Sequence, residues 1–387
     1  MTNALVYMAA FSSSWTAAAF GGFNVVDYLL AAAVVSMVVS RISGRREIRV
    51  RAWTLLPFIA AVIISGYDAI LVGDAVSPVT DLVRILISTA VVATLLGSVA
   101  STSGRTALRR ALGWWAAGIG VSSLASGTVS LGLVSFAGIL IQPTGLRLSG
   151  LSSHPNSIAF SITMALPVVI YFMTTARSFL RAVWWIGVLA ACLWGLILAD
   201  SRSGLLVTIP AVAIALTLAM LHSRLRLLSI PILVVAGILA YTFIPDAVAE
   251  TRLVQGSAQS DAGRVIYNDD ALRTFFDSPV LGGGFDAQAG VAVLLMVLSA
   301  GGIVLLLGYY LFVFWPIPTL WRARRDRLAQ TGLLSVFVFL GFGLLNPVFV
   351  ERATFWPVLV AFMGLAAARD RETISRGRTT RSAVAGA

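Results

Sequence analysis

The chain contains no lysine: its 28 basic side chains are all arginine, the usage of a GC-rich genome, set against 17 acidic residues and two histidines. A single cysteine, Cys192, rules out a disulfide framework within the chain, and its apolar run suits a small core residue better than a reactive thiol. Two histidines come close to excluding a His/Cys metal cluster, and no metal or cofactor is expected. Charge of either sign is scarce, at 12% of residues, whereas 58% are hydrophobic. A soluble domain does not have that balance. A β-barrel would alternate in short strands, whereas segments such as Ala211 to Leu221 run unbroken. The formal charge of +11 does not point to nucleic acid, because the arginines are dispersed in short loops without a stacking platform of aromatics.

What the chain does have is a series of apolar runs, each long enough to cross a hydrocarbon layer of about 30 Å as a helix. Hydropathy and arginine positions place spans near 4–20, 22–40, 52–72, 79–99, 111–132, 155–174, 183–199, 204–221, 227–244, 289–314, 331–349 and 354–368, about twelve in all. Short basic loops stay cytoplasmic, and the arginine-rich segments 41–51, 101–110, 176–181, 222–226, 321–327 and everything from Arg369 fall on one side of this parse. The loops around Asp74, Arg147, Asp200, 245–288 and Glu351 fall on the other.

The expected architecture is therefore all-α: a polytopic protein of the bacterial cytoplasmic membrane with both termini inside. Residues 1–368 form a single membrane domain with an extracytoplasmic loop at 245–288, and 369–387 form a basic, disordered tail against anionic headgroups. The start, MTNALVYMAAFSSSW, lacks a basic region ahead of its apolar stretch and is expected as a retained first span.

Inside the long loop, Ser260-Asp261 are placed to cap a helix running to Ser278, with Val265, Leu272 and Phe276 on one face. That helix would lie apolar side down on the outer leaflet or pack as an ordinary surface helix, ended by Pro279, Gly282, Gly283 and Gly284.

A charge at the centre of a membrane costs about 2.5 to 3.5 kcal/mol on insertion scales, so the positions of ionisable groups are informative. Asp27, Asp68, Asp81 and Arg84 fall toward the outer ends of their spans, with Asp81 and Arg84 spaced as a local pair. The extracytoplasmic arginines are Arg147, Arg202, Arg252, Arg264, Arg273 and Arg352. A guanidinium grips phosphate oxygens through two parallel hydrogen bonds and stays charged, which suits a pyrophosphate-bearing ligand.

Three segments, RLSGLSSHPNSIAF (147–160), ADSRSGLL (199–206) and AGRVIYNDDALRTFFDSPVLGGGF (262–285) followed by SAGGIVLLL (299–307), resemble in order and spacing the O-antigen ligase and polymerase family of bacterial membranes. The resemblance covers about 150 to 305. It implies a GT-C-like helical glycosyltransferase, working at the outer face without metal or nucleotide sugar on glycans carried by undecaprenyl pyrophosphate.

By the same resemblance Arg147, Arg202 and Arg264 would bind the donor pyrophosphate as it leaves, with Asn156 and Asp200 in the same substrate-binding motifs. His154, Pro155 and Asn156 match the family's proline-asparagine turn, where His154 would cap and pack or take part in catalysis. The sequence departs from the family at one place. The late histidine expected near Val291 and Ala292, proposed there to activate the acceptor, is missing, and no histidine follows His222. Asp286, directly after the glycine run, is the candidate replacement as general base, with Asp200 and Glu351 as alternatives.

The function implied is transfer or polymerisation of a lipid-linked oligosaccharide onto an acceptor glycan or lipid in surface polysaccharide biosynthesis. The expected partners are that donor, the acceptor, membrane lipids and polysaccharide-assembly proteins. Two alternatives stand beside it: a lipid-linked glycan flippase or transporter, which would need a charged central cavity and broken helices, and an inert family member that scaffolds polysaccharide assembly.

Overall fold

The computed structural model describes residues 1–17, 19–20, 23–42, 56–72, 76–133, 147–221, 258–285, 290–346 and 356. The described helices are α1 (Thr2–Phe11), α2 (Val25–Ile42), α3 (Leu56–Val72), α4 (Val76–Leu86), α5 (Val92–Ser130), α6 (Pro155–Thr174), α7 (Phe179–Ala199), α8 (Arg202–Leu221), α9 (Ala258–Asp277), α10 (Val293–Phe314), α11 (Pro316–Arg322) and α12 (Arg327–Gly343). A π-helical segment, Ile87–Val91, joins α4 to α5. The described strands are a minimal antiparallel pair, β1 (Ala19–Phe20) with β2 (Phe23–Asn24).

The protein is an all-α membrane protein. Five stretches among the described residues are long and apolar enough to cross a membrane: Leu82–Ala100, Pro155–Thr174, Phe179–Ala199, Arg202–Leu221 and Val293–Arg322. Shorter apolar helices run over Thr2–Phe11, Val25–Ser40 and Arg327–Gly343. The spans expected at 227–244 and 354–368, and the tail 369–387, lie outside the described residues.

Helix α6 is the axis of the bundle. Every residue from Ser157 to Phe172 is buried, as expected of a helix apolar all round, and α5, α7, α8 and α12 pack against it. Its few hydroxyls are satisfied within the bundle. Thr163 bonds the carbonyl of Ala159 at 2.7 Å and meets the Thr208 hydroxyl of α8 at 2.8 Å. Phe160 stacks on Phe342, with ring centroids 4.4 Å apart, tying α6 to the end of α12. Where α1 meets α5 the backbones touch: a Cβ on Gly118 would stand 1.7 Å from the carbonyl oxygen of Phe11.

Three sequence expectations are corrected. The first span, placed at 4–20, ends as helix at Phe11, because the serines that follow turn the chain aside. Ser12 bonds back to Met8 O at 3.0 Å, and residues 16 and 17 bond to the 151–153 loop. The arginine-rich 101–110 segment is a tight turn between two helical stretches rather than an extended loop. The break falls at Gly104, whose φ of 65° and ψ of −160° suit glycine, so that the chain turns within the segment and continues as helix through Arg105 to Arg110. Helix α9 begins at Ala258, ahead of the expected Ser260-Asp261 cap, and its Val265, Leu272 and Phe276 are exposed.

Helix α10 is broken at Gly301 (φ −145°, ψ 16°) and Gly302 (φ 57°, ψ −154°). A break strands backbone groups that lipid would not solvate. Here the turn after α9 satisfies them: Gly283 N–H donates to Ser299 O at 2.8 Å, Ile303 N–H to Pro279 O at 3.0 Å and Val304 N–H to Val280 O at 3.2 Å. Side chains are excluded from this joint, since a Cβ on Gly302 would lie 2.5 Å from the Val280 carbonyl. The turn ends at Phe285, which is buried and faces Gly66 of α3.

The arginines sort by end of the bundle. Arg105 pairs with Asp326, Arg109 donates to Thr175 Oγ1 at 3.0 Å, and Arg327 donates to Thr174 Oγ1 at 3.0 Å. These contacts, with Arg177, Arg181, Arg322, Arg324 and Arg325 in the adjoining turns, gather at the end where α6 finishes and α12 begins. Arg147, Arg202 and Arg264 are at the other.

Candidate functional site

A helix C-terminus leaves its last carbonyls without intrahelical partners and carries partial negative charge. At the end of α7 the 147–148 segment meets that need: Leu148 N–H donates to Leu198 O at 3.0 Å, and Arg147 Nε–H donates to Ala199 O at 3.0 Å. The other end of the guanidinium reaches α6, where Nη2 donates to Asn156 Oδ1 at 2.8 Å. Arg147 therefore clamps the end of α7 to the start of α6. The loop around it is stitched down as well. Leu151 N–H donates to Ser122 Oγ at 2.9 Å, and Ser152 Oγ donates to Ser14 O at 2.9 Å.

The α7–α8 connection is very tight. Asp200 caps α7 in the left-handed region, with φ of 43° and ψ of 53°, and is the non-glycine residue with positive φ among the described residues. Aspartate tolerates that conformation better than most side chains, yet glycine is the usual choice. Ser201 caps α8, its hydroxyl accepting from Gly204 N–H at 3.3 Å. Arg202 is the first residue of α8, half-buried.

His154 is the N-cap of α6, its Nδ1 accepting from Asn156 N–H at 3.0 Å, with Pro155 in the first helical position. Partial burial of the ring, followed by the Arg147 charge, pushes its pKa below the usual value of 6.5. At neutral pH the ring is uncharged. With Nδ1 engaged as acceptor its proton sits on Nε2, so the outward nitrogen is a donor and not a base.

Sequence reasoning did not find Asn346 or Ser203. Asn346, at the end of α12, is fully buried and donates through Nδ2 to Ser203 Oγ. Ser203 in turn lies 3.3 Å from the Ser201 hydroxyl. Asn346 Oδ1 is buried with no hydrogen-bond partner among the described residues. The signal was present: an amide inside the apolar 331–349 run is costly unless it is used.

Arg264 sits on α9, one turn before Asn268, and so shares its face. Asn268 Oδ1 accepts from Val291 N–H at 3.0 Å, anchoring that face where α10 begins. Val293 of α10 abuts Gly343 of α12, at 3.4 Å from a Cβ built there. The Asn268–Val291 bond, the Val293–Gly343 contact, the Asn346–Ser203 bond and the Arg147 bonds to Ala199 O and Asn156 thus fall at one end of the bundle, with Arg264 placed there by its position on α9. Arg273 is exposed elsewhere on α9.

Asp286, the candidate base, lies outside the described residues, as do His222, Arg252, Glu351 and Arg352, and so do the side chains of Asp68 and Asp81. Asp27 is placed as a structural group: its carboxylate accepts from Asn24 N–H at 2.9 Å across the first turn of α2. Among the described residues no three His, Cys, Asp or Glu side chains come together as a metal would need.

A helical membrane protein with arginines, amides and hydroxyls clustered at one end of its bundle is the class these observations define. The model of the O-antigen ligase family matches residues 186–293, from within α7 through α8 and α9 to the first residue of α10. This segment is similar to the O-antigen ligase family, which supports a part in O-antigen ligation or polymerisation in polysaccharide biosynthesis and implies a lipid-linked glycan and an acceptor as substrates. The match takes in Asp200, Arg202, Arg264 and the glycine turn, while Arg147, His154 and Asn156 precede it. The comparison with curated proteins finds no match.

Proposed function

We propose that the protein is a metal-independent glycosyltransferase of the bacterial cytoplasmic membrane, transferring or polymerising undecaprenyl-pyrophosphate-linked oligosaccharide at the outer face. One observation supports this reading: the elements that carry Arg147, Arg202 and Arg264 meet at the bundle end opposite the arginine-rich turns. Because short basic turns stay cytoplasmic, the Arg105, Arg109 and Arg327 end faces the cell interior and the site faces outward.

In the proposed step the acceptor hydroxyl oxygen attacks the anomeric carbon of the donor, and the bond from that carbon to the pyrophosphate oxygen breaks. The pyrophosphate leaves with the electron pair, and fixed guanidinium charge stabilises it more strongly as that bond lengthens. Arg147 suits this role because Ala199 O and Asn156 hold it in place before any ligand arrives. The hydroxyl proton goes to a carboxylate, for which Asp286, next to the buried Phe285 anchor, is the proposed base. His154 has its acceptor nitrogen committed to the α6 cap and is assigned positioning instead.

The flippase alternative gains one observation, the break in α10 at Gly301 and Gly302. The backbone groups freed there are bonded by the 279–283 turn, however, where a transport site would leave them lining a cavity. Purified protein in detergent, supplied with an undecaprenyl-pyrophosphate oligosaccharide and an acceptor glycan, separates the two. A transferase yields a new covalent product and free carrier pyrophosphate, whereas a flippase yields neither. Asp286→Ala and Arg264→Ala variants that fold and still restore full-length glycan in cells would assign scaffolding instead.

A further inference from the structure

At the arginine-rich end a shallow, half-open groove runs between α6, α8 and α12. Its floor is apolar and shallow-walled, because Ala215 and Ala219 lie one turn apart on α8 and face Leu334 of α12. Its mouth is polar, lined by Thr174, Arg327 and Gln330. Arg327 is held there by its bond to Thr174 Oγ1 at 3.0 Å, and Gln330 is held by donating to Arg324 O at 2.8 Å.

The surroundings are cationic. Arg322, Arg324 and Arg325 flank the mouth, and the adjacent Asp326 is occupied by Arg105 and by the Leu328 N–H at 2.9 Å. An apolar trough that ends in a fixed guanidinium matches one ligand chemistry, an alkyl chain carrying a phosphate.

We propose that this groove binds an anionic phospholipid of the adjoining leaflet, its phosphodiester on Arg327 and one acyl chain along Ala215, Ala219 and Leu334. A zwitterionic headgroup would place its ammonium against Arg324 and Arg325, so selection should favour the anionic lipid. At about 1 kcal/mol for each arginine near a membrane surface, one such contact corresponds to about a fivefold preference.

The test is native mass spectrometry of the full-length protein with equimolar phosphatidylglycerol and phosphatidylcholine. Phosphatidylglycerol should be retained about fivefold over phosphatidylcholine. Arg327→Ala should abolish the preference, and Ala219→Trp should abolish retention by filling the trough. Ala219→Leu serves the same purpose should the tryptophan variant fail to fold. Arg181→Ala removes an equal charge from the same end, outside the groove, and should change nothing. Glycerol phosphate without acyl chains should fail to compete.

Equal retention of the two lipids by the wild type would overturn the proposal. So would an Arg181→Ala effect as large as that of Arg327→Ala, which would mean diffuse surface charge, or full competition by glycerol phosphate, which would mean an anion site with no lipid chain.

Discussion

The two ends of this bundle both carry arginine, and they use it differently. At one end Arg105, Arg109 and Arg327 brace turns against Asp326, Thr175 and Thr174, with further arginines exposed nearby. Apart from Arg327 in its groove, many charges share one electrostatic task there, and losing one leaves the sum almost intact. At the other end Arg147 bridges a helix terminus and an amide, and Arg202 opens α8 beside a buried network of Ser201, Ser203 and Asn346. Arginine count alone marks the first end, and the bonds that hold individual guanidinium groups mark the second.

The sharpest way to break the comparison is to make the same substitution at each end. Glycosyl transfer by Arg147→Ala should fall about a hundredfold, the order seen when one preorganised transition-state donor is removed. Arg147→Lys should fall nearly as far, since an ammonium does not reproduce a guanidinium that spans Ala199 O and Asn156 at once. Arg324→Ala and Arg325→Ala should stay within about twofold. Equal losses at both ends would erase the distinction.

Next in size is Asn346→Leu. Removing the buried amide takes a partner from Ser203 but also deletes the buried carbonyl oxygen, so the net loss of stability should be about 1 to 2 kcal/mol, read as a lowered midpoint in thermal unfolding. A larger fall in transfer than in stability would place Asn346 among the substrate-positioning groups.

Asp200→Gly probes strain at the α7–α8 turn. Glycine adopts φ of 43° freely, so stability should rise by about 1 kcal/mol. If the Asp200 carboxylate positions substrate, transfer should fall about tenfold in the same variant. Unchanged transfer would remove Asp200 from the site.

His154 gives the smallest effect. His154→Asn keeps an N-cap acceptor and should retain activity within about threefold, whereas His154→Ala should lose about 1 kcal/mol of stability. The pH dependence follows from the lowered pKa. Unfolded chains take up the proton near 6.5 while the folded ring resists it, so the stabilisation is complete above that pH and drains away as pH falls through the lower folded value. Loss of transfer in His154→Asn at unchanged stability would instead make the ring catalytic.

Hydropathy made most of the described helices legible, because a lipid-facing or buried helix such as α6 must be apolar along its length. It missed the end of α1, where Ala17 and Ala18 continue the apolar composition although Ser12 has already turned the chain. It also missed the break in α10. Gly301 and Gly302 leave the window average apolar, and the groups that repair the break come from Pro279, Val280 and Gly283, distant in sequence.

At the site, the arginines were legible as charges stranded on the sparsely basic side. Their holders were not: Ala199 acts through its backbone carbonyl, and Ser203 and Asn346 meet only when α8 and α12 pack together. His154 was legible as part of a turn, but only its Nδ1 contact with Asn156 shows which nitrogen remains.

The most direct test is a cryo-EM structure of the full-length protein with an unreactive undecaprenyl-pyrophosphate glycan analogue. The account predicts pyrophosphate oxygens within hydrogen-bond reach, about 3 Å, of Arg147, Arg202 and Arg264. Pyrophosphate bound at the Arg105, Arg109 and Arg327 end, or bound away from all three site arginines, would contradict it.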